Sequence, residues 1–166
     1  MYTPQKYPKT PHLPFSPEVK DDDITLSEVH CTQFVNKPVV ITEKMDGGNC
    51  QLFQGRVYAR TTSKEATHKS FSAVKQLYSQ FSYMVPDEVA IYGENMFGVL
   101  SIEYDGLQSY FYMFGALERQ QESDSSDEVT NDVWWSWERV EQYAEELGVP
   151  TVPVLFKGTF TSVQQI

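Results

Sequence analysis

Apolar residues fall along this chain in runs of β-formers and, in two stretches, at a spacing close to 3.6. Residues 37–44, KPVVITEK, gather β-branched side chains just after Pro38 and predict a strand. NCQLFQ (49–54) and RVYAR (56–60) lie either side of Gly55 and predict a hairpin. The pattern then changes. Phe71, Val74, Leu77, Tyr78, Phe81 and Met84 recur at helical spacing, predicting a helix over 70–84 with Ser70 as its N-cap and Pro86 just beyond its end. EVAIYGE (88–94) predicts a short strand, and SYFYMFGAL (109–117) another, aromatic enough to be central. Residues 133–148, VWWSWERVEQYAEELG, predict an amphipathic helix with Trp137, Val140, Ala144 and Leu147 on one face and Gly148 as its stop. At that spacing Trp134, Trp135 and Trp137 read as core packing rather than base stacking. VPTVPVLF (149–156) predicts a last strand, and Pro153 within it suits an edge.

Strands precede and surround two helices without a regular βαβ alternation. The fold class is therefore α+β, a largely antiparallel sheet with flanking helices. Residues 1–24 contain Pro4, Pro8, Pro11, Pro14 and Pro17 and close on Asp21, Asp22 and Asp23, so they read as an extended lead-in. One domain is expected over 25–166, with a polar acidic loop at 118–132, ERQQESDSSDEVTND. No internal repeat is visible.

The 166 residues suffice for one domain with a core, and 40% hydrophobic with 14% aromatic content excludes a disordered chain. No apolar run approaches the ~20 residues of a membrane helix. The opening MYTPQKYPKTPHLPF has no apolar centre of the secretory kind, and the expected compartment is the cytoplasm. A formal charge of −10 argues against general nucleic-acid stickiness. That charge is uneven. Residues 44–75 hold six basic and two acidic residues, whereas 118–146 hold ten acidic and two basic. The basic stretch could face an anionic ligand or form a solvated face. Cys31 and Cys50 fit no zinc or disulfide spacing and read as a reduced, buried pair. His12, His30 and His68 form no metal or triad pattern.

The candidate chemistry sits in ITEKMDGGNC, residues 41–50. A lysine at the end of a buried strand loses hydration, which favours the neutral amine. A neutral amine is a nucleophile, and phosphorus is among the centres it attacks. Asp46 could orient Lys44 or hold a metal near a phosphate, and Gly47 and Gly48 would allow close backbone approach or a sharp turn. The four-residue pattern K-x-D-G is weak by itself, and a solvated Lys44 beside a plain turn is the ordinary alternative.

Further matches lie in its surroundings. EKMDGGN (43–49) resembles motif I of the covalent nucleotidyltransferases, which comprise the ATP-dependent RNA and DNA ligases and the mRNA capping enzymes. It is closest to the RNA ligase family. YART (58–61), IYGEN (91–95) and YFYMFGA (110–116) resemble the next motifs of that family, in its order. KYPKTPHLPFSP (6–17) with the following aspartates, and YAEELGVPTVPVLF (143–156), resemble a bacterial and phage branch of it. The resemblance runs over nearly the whole chain.

It implies a nucleotidyltransferase adenylation domain of the ATP-grasp-like kind, in a cytoplasmic ATP-dependent RNA ligase acting in RNA repair. Lys44 would attack the α-phosphate of ATP and hold AMP. The AMP would then pass to a 5′-phosphate RNA end for strand joining. Glu43 and the backbone of Thr42 would read the adenine edge. Asp46 and Gly47 would shape the turn under ribose and phosphate, and Asn49 and Arg60 would lie near the ribose and phosphates. Glu94 would contact the ribose or a metal-bound water. Phe114 would stack on the base, with Phe111 as the alternative. Spaced by three, these two rings should lie on opposite faces of a strand, one of them in the core. Magnesium or manganese would neutralise phosphate charge, its protein ligands being unassigned.

Two motifs of the family find no counterpart. No Glu-Gly pair for motif IV occurs, and Lys157 is too early for a motif V lysine. The chain thus resembles the N-terminal two-thirds of an adenylation domain, and its activity alone is in doubt. Readings left open are a non-catalytic module that binds nucleotide or RNA ends, and a DNA ligase or capping-type nucleotidyltransferase.

Overall fold

The structure is a computed structural model that describes residues 2–98, 101–120 and 132–166. In chain order its elements are α1 (Glu28–Cys31), β1 (Pro38–Thr42), β2 (Gly48–Phe53), β3 (Arg56–Ala59), α2 (Ser72–Ser79), β4 (Val89–Asn95), β5 (Phe111–Glu118), β6 (Val133–Trp134), α3 (Trp137–Leu147) and β7 (Val154–Thr159). The chain forms two compact units, one of residues 1–7 with 44–152 and one of residues 8–43 with 153–166. The expected mixed architecture with antiparallel sheets and few helices is present.

The larger unit is built on an antiparallel sheet of order β3-β2-β4-β5-β6. Its hairpin β2–β3 turns at Gln54 and Gly55, whose φ values of 48° and 74° are the pair of positive angles a two-residue turn of matching twist requires. One face of the sheet packs Cys50, Leu52, Ile91, Phe111 and Met113 against Val74 and Tyr78 of α2 and Val140, Ala144 and Leu147 of α3. The opposite face carries Phe53, Tyr92, Leu117 and Phe114, and is covered by Tyr2 and Tyr7. Residues 2–7 are fixed there through their backbone. The Gln5 carbonyl accepts from Gln51 Nε2 at 2.8 Å and from the Tyr92 hydroxyl at 2.6 Å, and the Thr3 carbonyl accepts from Arg119.

Two expected helices are shorter than their periodicity suggests. The 70–84 stretch is a 3₁₀ turn at 69–71, α2, and a second 3₁₀ turn at 82–84. Phe81 leaves helical geometry (φ −130°, ψ 1°) yet stays buried, with its ring 5.4 Å from that of Tyr78. Ser70 is not the cap. The His68 ring accepts from the Ser70 N–H, and α2 follows from Phe71 with no side-chain cap. The helix expected over 133–148 begins only at Trp137, capped by Ser136, whose hydroxyl accepts from the Arg139 N–H at 3.3 Å. Val133 and Trp134 instead pair with Glu118 and Leu117. The stop at Gly148 is as expected, with φ 71°. β4 is the middle strand of the sheet, and β5 lies between it and the two-residue β6. Most of the acidic loop expected at 118–132 lies outside the described residues. Its two ends are joined by an ion pair from Arg119 Nε to Asp132 Oδ2 at 2.7 Å.

The smaller unit pairs β1 with β7, antiparallel, from Pro38–Thr159 to Thr42–Val154. β7 starts after Pro153, as the missing N–H of proline suggests. Residues 2–24 contain no helix. The His12 N–H donates to the Ile24 carbonyl at 2.7 Å, and the His12 carbonyl accepts from Leu26 at 2.8 Å. Cys31 and Cys50 are both free and buried. Among the described residues no helix is long and apolar enough to cross a membrane.

Candidate functional site

Strand register assembles the site at one end of the large sheet. Asn49 on β2 pairs with Glu94 on β4, and Glu94 pairs with Tyr112 on β5. Arg60 follows β3 directly, one step beyond the Cys50–Ala59 pair, and so stands beside Asn49. Arg60, Asn49, Glu94 and Tyr112 thus form a row across four strands. Burial raises the Glu94 pKa, while the Gly47 N–H and the charges of Lys44 and Arg60 oppose that rise. Lys44, Asp46, Gly47, Arg60 and Glu94 thus share one electrostatic neighbourhood.

The turn after Lys44 is held by bonds from distant residues. The Gly47 N–H donates to Glu94 Oε1 at 3.0 Å, and the Asp46 N–H donates to the Tyr104 hydroxyl at 2.8 Å. Asp46 Oδ2 accepts from the Ser101 N–H at 3.1 Å and from the Ser101 hydroxyl. These bonds, the hydroxyl first, hold the Asp46 carboxyl below its ordinary pKa. Gly47 is packed so tightly that a Cβ would fall 2.4 Å from the Asn95 carbonyl oxygen, whereas one on Gly48 would meet nothing nearer than 3.9 Å. Only the first glycine answers a close approach. Ser101 and Tyr104 carry no pattern in the sequence that singles them out, and sequence reasoning missed them.

Lys44 departs from expectation. Its side chain is exposed, and β1 before it is largely exposed too. The run Val39-Val40-Ile41 reads as a buried strand, but it belongs to a two-stranded ribbon that cannot bury both its faces. Thr42 and Glu43 lie in the smaller unit, half-buried, with the Glu43 N–H donating to the Pro153 carbonyl at 2.8 Å.

The two candidate rings separate as the spacing of three predicts. Phe111 is fully buried under the helices and covers Gly93, where a Cβ would lie 2.3 Å from its ring. Phe114 is half-buried on the opposite face, the face that carries Glu94 and Asn49. A register shift between Tyr92–Gly115 and Gly93–Met113 leaves Phe114 as the extra residue of a bulge, which re-aims a side chain locally. The Tyr7 ring meets Phe114 edge-on at 5.1 Å.

Among the described residues no group of three or more His, Cys, Asp or Glu side chains is placed to hold a metal ion. Asp46 and Glu94 are the carboxylates at hand. That donor set fits a hydrated magnesium that takes most of its ligands from phosphates and water, and not an all-protein cage. A cavity of about 270 Å³ lies elsewhere, between Glu118, Trp135, Arg139 and Tyr143, and none of the expected site residues lines it.

A family model described as RNA ligase matches residues 37–166. No curated protein matches the chain. Among solved structures, an archaeal ATP-dependent RNA ligase is 17% identical with a TM-score of 0.54, over 77% of this chain and 34% of its own. A putative ATP-dependent DNA ligase from Aquifex aeolicus is 16% identical with a TM-score of 0.53, over 84% and 38%. A Naegleria gruberi RNA ligase mutant with ATP and Mn is 14% identical with a TM-score of 0.59, over 83% and 42%. At these identities the likeness is one of fold. The chain spans between about a third and two-fifths of each of these structures.

Proposed function

The chain belongs to the RNA ligase family, and from that membership we propose that it carries the nucleotide-binding and lysine-adenylating part of an ATP-dependent RNA ligase. The Lys44 amine, once deprotonated, attacks the α-phosphorus of ATP. A P–N bond forms, the bond to the β-phosphate oxygen breaks, and pyrophosphate leaves. An oxygen of an RNA 5′-phosphate then attacks the same phosphorus, the P–N bond breaks and Lys44 regains its proton. Attack by a 3′-hydroxyl on the activated end joins the strands and releases AMP.

The observation that carries this reading is the convergence on Glu94. Its carboxylate accepts from the Gly47 N–H and lies within electrostatic reach of Lys44, Asp46 and Arg60. Arg60 is exposed at the head of that row, and its guanidinium matches phosphate oxygens in shape. Glu43 and Thr42 read the adenine edge, Asn49 lies near the ribose, and Phe114 stacks on the base. When bound, magnesium or manganese supplies charge neutralisation to the phosphates, with Glu94 and Asp46 as its candidate carboxylates. The exposure of Lys44 favours one other reading, a module that binds nucleotide without bonding to it.

The test is incubation of the chain with ATP labelled at the α-phosphate, followed by denaturing electrophoresis. Label that stays on the protein and is absent from Lys44→Ala supports the proposal. Saturable ATP binding without covalent label supports the second reading and refutes the first.

A further inference from the structure

Beyond the row of Arg60, Asn49 and Glu94, the next residue of β4 is a buried amide with two jobs. Asn95 is almost fully buried. Its Nδ2 donates to the Ser70 carbonyl at 3.0 Å, and its Oδ1 accepts from the Phe97 N–H at 3.0 Å. One side chain therefore ties together two surface segments. The first is the turn bearing His68 and Lys69, both exposed. The second is the segment bearing Phe97, whose ring packs edge-on against Tyr110 at 5.2 Å. The Tyr110 carbonyl accepts from the Met96 N–H at 2.8 Å, so both rings are anchored at the same strand end.

These rings are large and open to solvent, with Phe97 42% and Tyr110 53% exposed. Lys69 forms no ion pair among the described residues, whereas Lys75 is bridged to Glu65. This exposed aromatic pair is tied through Asn95 to the turn that carries the exposed His68 and Lys69, on a chain of net charge −10. Adjacent aromatic faces and positive charge are what a single-stranded nucleic acid uses, one for its bases and the other for its backbone.

We infer that Phe97 and Tyr110 form a stacking platform for the unpaired bases of an RNA strand, with His68 and Lys69 taking its phosphates. This rests on the proposed function, since it names a surface that would hold the strand to be joined. It assigns to the rim a task that the row at Glu94 does not perform.

The experiment is fluorescence anisotropy of a 5′-phosphorylated, 3′-fluorescein-labelled oligoribonucleotide of about 12 nucleotides, within the usual site size of such surfaces. The intact chain should bind it, and Phe97→Ala or Tyr110→Ala should weaken binding about 5- to 100-fold. Phe97→Tyr should retain binding, and the melting temperature of each variant shows that it is folded. Lys69→Ala should lower the slope of log affinity against log salt by about 0.7, the loss of one phosphate contact on a single strand. Absence of binding by the intact chain, equal binding by the alanine variants, or tighter binding of duplex RNA overturns the inference. No step in this measurement needs Lys44. A chain that binds the oligonucleotide but acquires no AMP therefore sinks the proposed function and leaves the platform standing.

Discussion

Glu94 and Gly47 are 47 residues apart, yet the carboxylate of one accepts the backbone N–H of the other at 3.0 Å. That bond fastens the turn after Lys44 to the middle strand of the sheet. It also keeps a carboxylate where burial disfavours its charge. The pKa of Glu94 is raised above its ordinary 4.5, burial being the largest cause. The native state therefore holds this proton more tightly than the unfolded chain does. Its contribution to stability is fully present below about pH 4.5 and is lost as pH rises through the higher native value.

Glu94→Gln should accordingly match the wild-type melting temperature in acid and exceed it by up to a few degrees near pH 7. The amide oxygen can still accept from Gly47. The same variant should lose most ATP-dependent labelling of Lys44. Calorimetry between pH 4 and 8 checks the first expectation, and a variant less stable than wild type at pH 7 contradicts it.

The double glycine should divide under substitution. Gly47→Ala sets a methyl 2.4 Å from the Asn95 carbonyl oxygen and should cost about 1–3 kcal/mol. Gly48→Ala finds its nearest neighbour at 3.9 Å and should be close to neutral. Gly93→Ala, 2.3 Å from the Phe111 ring and 2.6 Å from the Tyr112 carbonyl oxygen, should be at least as damaging as Gly47→Ala. Urea denaturation of the three variants gives the ranking directly, and equal midpoints for Gly47→Ala and Gly48→Ala would remove the close-approach argument.

Phe111 and Phe114 should fail in different assays. Phe111→Ala empties a fully buried site and should destabilise the protein by about 3–5 kcal/mol. Phe114→Ala, half-buried on the site face, should cost less stability and raise the ATP concentration needed for half-maximal labelling by about tenfold. Nucleotide titration beside thermal melts separates the two. Weakened ATP dependence in a folded Phe111 variant, with none in Phe114→Ala, would reverse the assignment.

Tyr104→Phe removes one hydroxyl and keeps the ring that packs with Met45 and Tyr112. The Asp46 N–H then loses its acceptor at 2.8 Å. Amide exchange in a peptide spanning 44–48 should speed up, and Lys44 labelling should slow by about tenfold or more, since small misplacements of a reacting group are costly. Unchanged exchange together with unchanged labelling would show that the hydroxyl does not position the turn.

Much of this architecture is legible in the residues. The strands β1 to β5 follow from runs of β-branched and aromatic residues and from the turn at Gln54-Gly55. Where the reading failed, a local rule beat periodicity. Trp134, Trp135 and Trp137 fit a helical face, but Ser136 is a strong N-cap, and the chain before it stayed extended against β5. Phe81 kept its buried place while leaving the helical backbone, so its spacing misled. In the candidate site, the residues near Lys44 and Glu94 were visible as short motifs. Their alignment in a row depends on register, which no single strand encodes. The bonds from Ser101 and Tyr104 span 55 and 58 residues and leave no periodic trace. Three β-branched residues before Lys44 suggest burial, whereas burial depends on what covers the strand, and Lys44 is exposed.

The fastening of residues 2–7 bears on how this chain can vary. Thr3 and Gln5 are gripped by their carbonyls, which every amino acid possesses, while Tyr7 is gripped by its ring. Letters at positions 3 to 6 can drift with little penalty, but the spacing from Thr3 through Gln5 to Tyr7 cannot. Deletion of residue 6 would set the two carbonyls out of register with the phenol, so that either Phe114 loses its ring partner or the donors lose both carbonyls, a frame error written in geometry and not in codons.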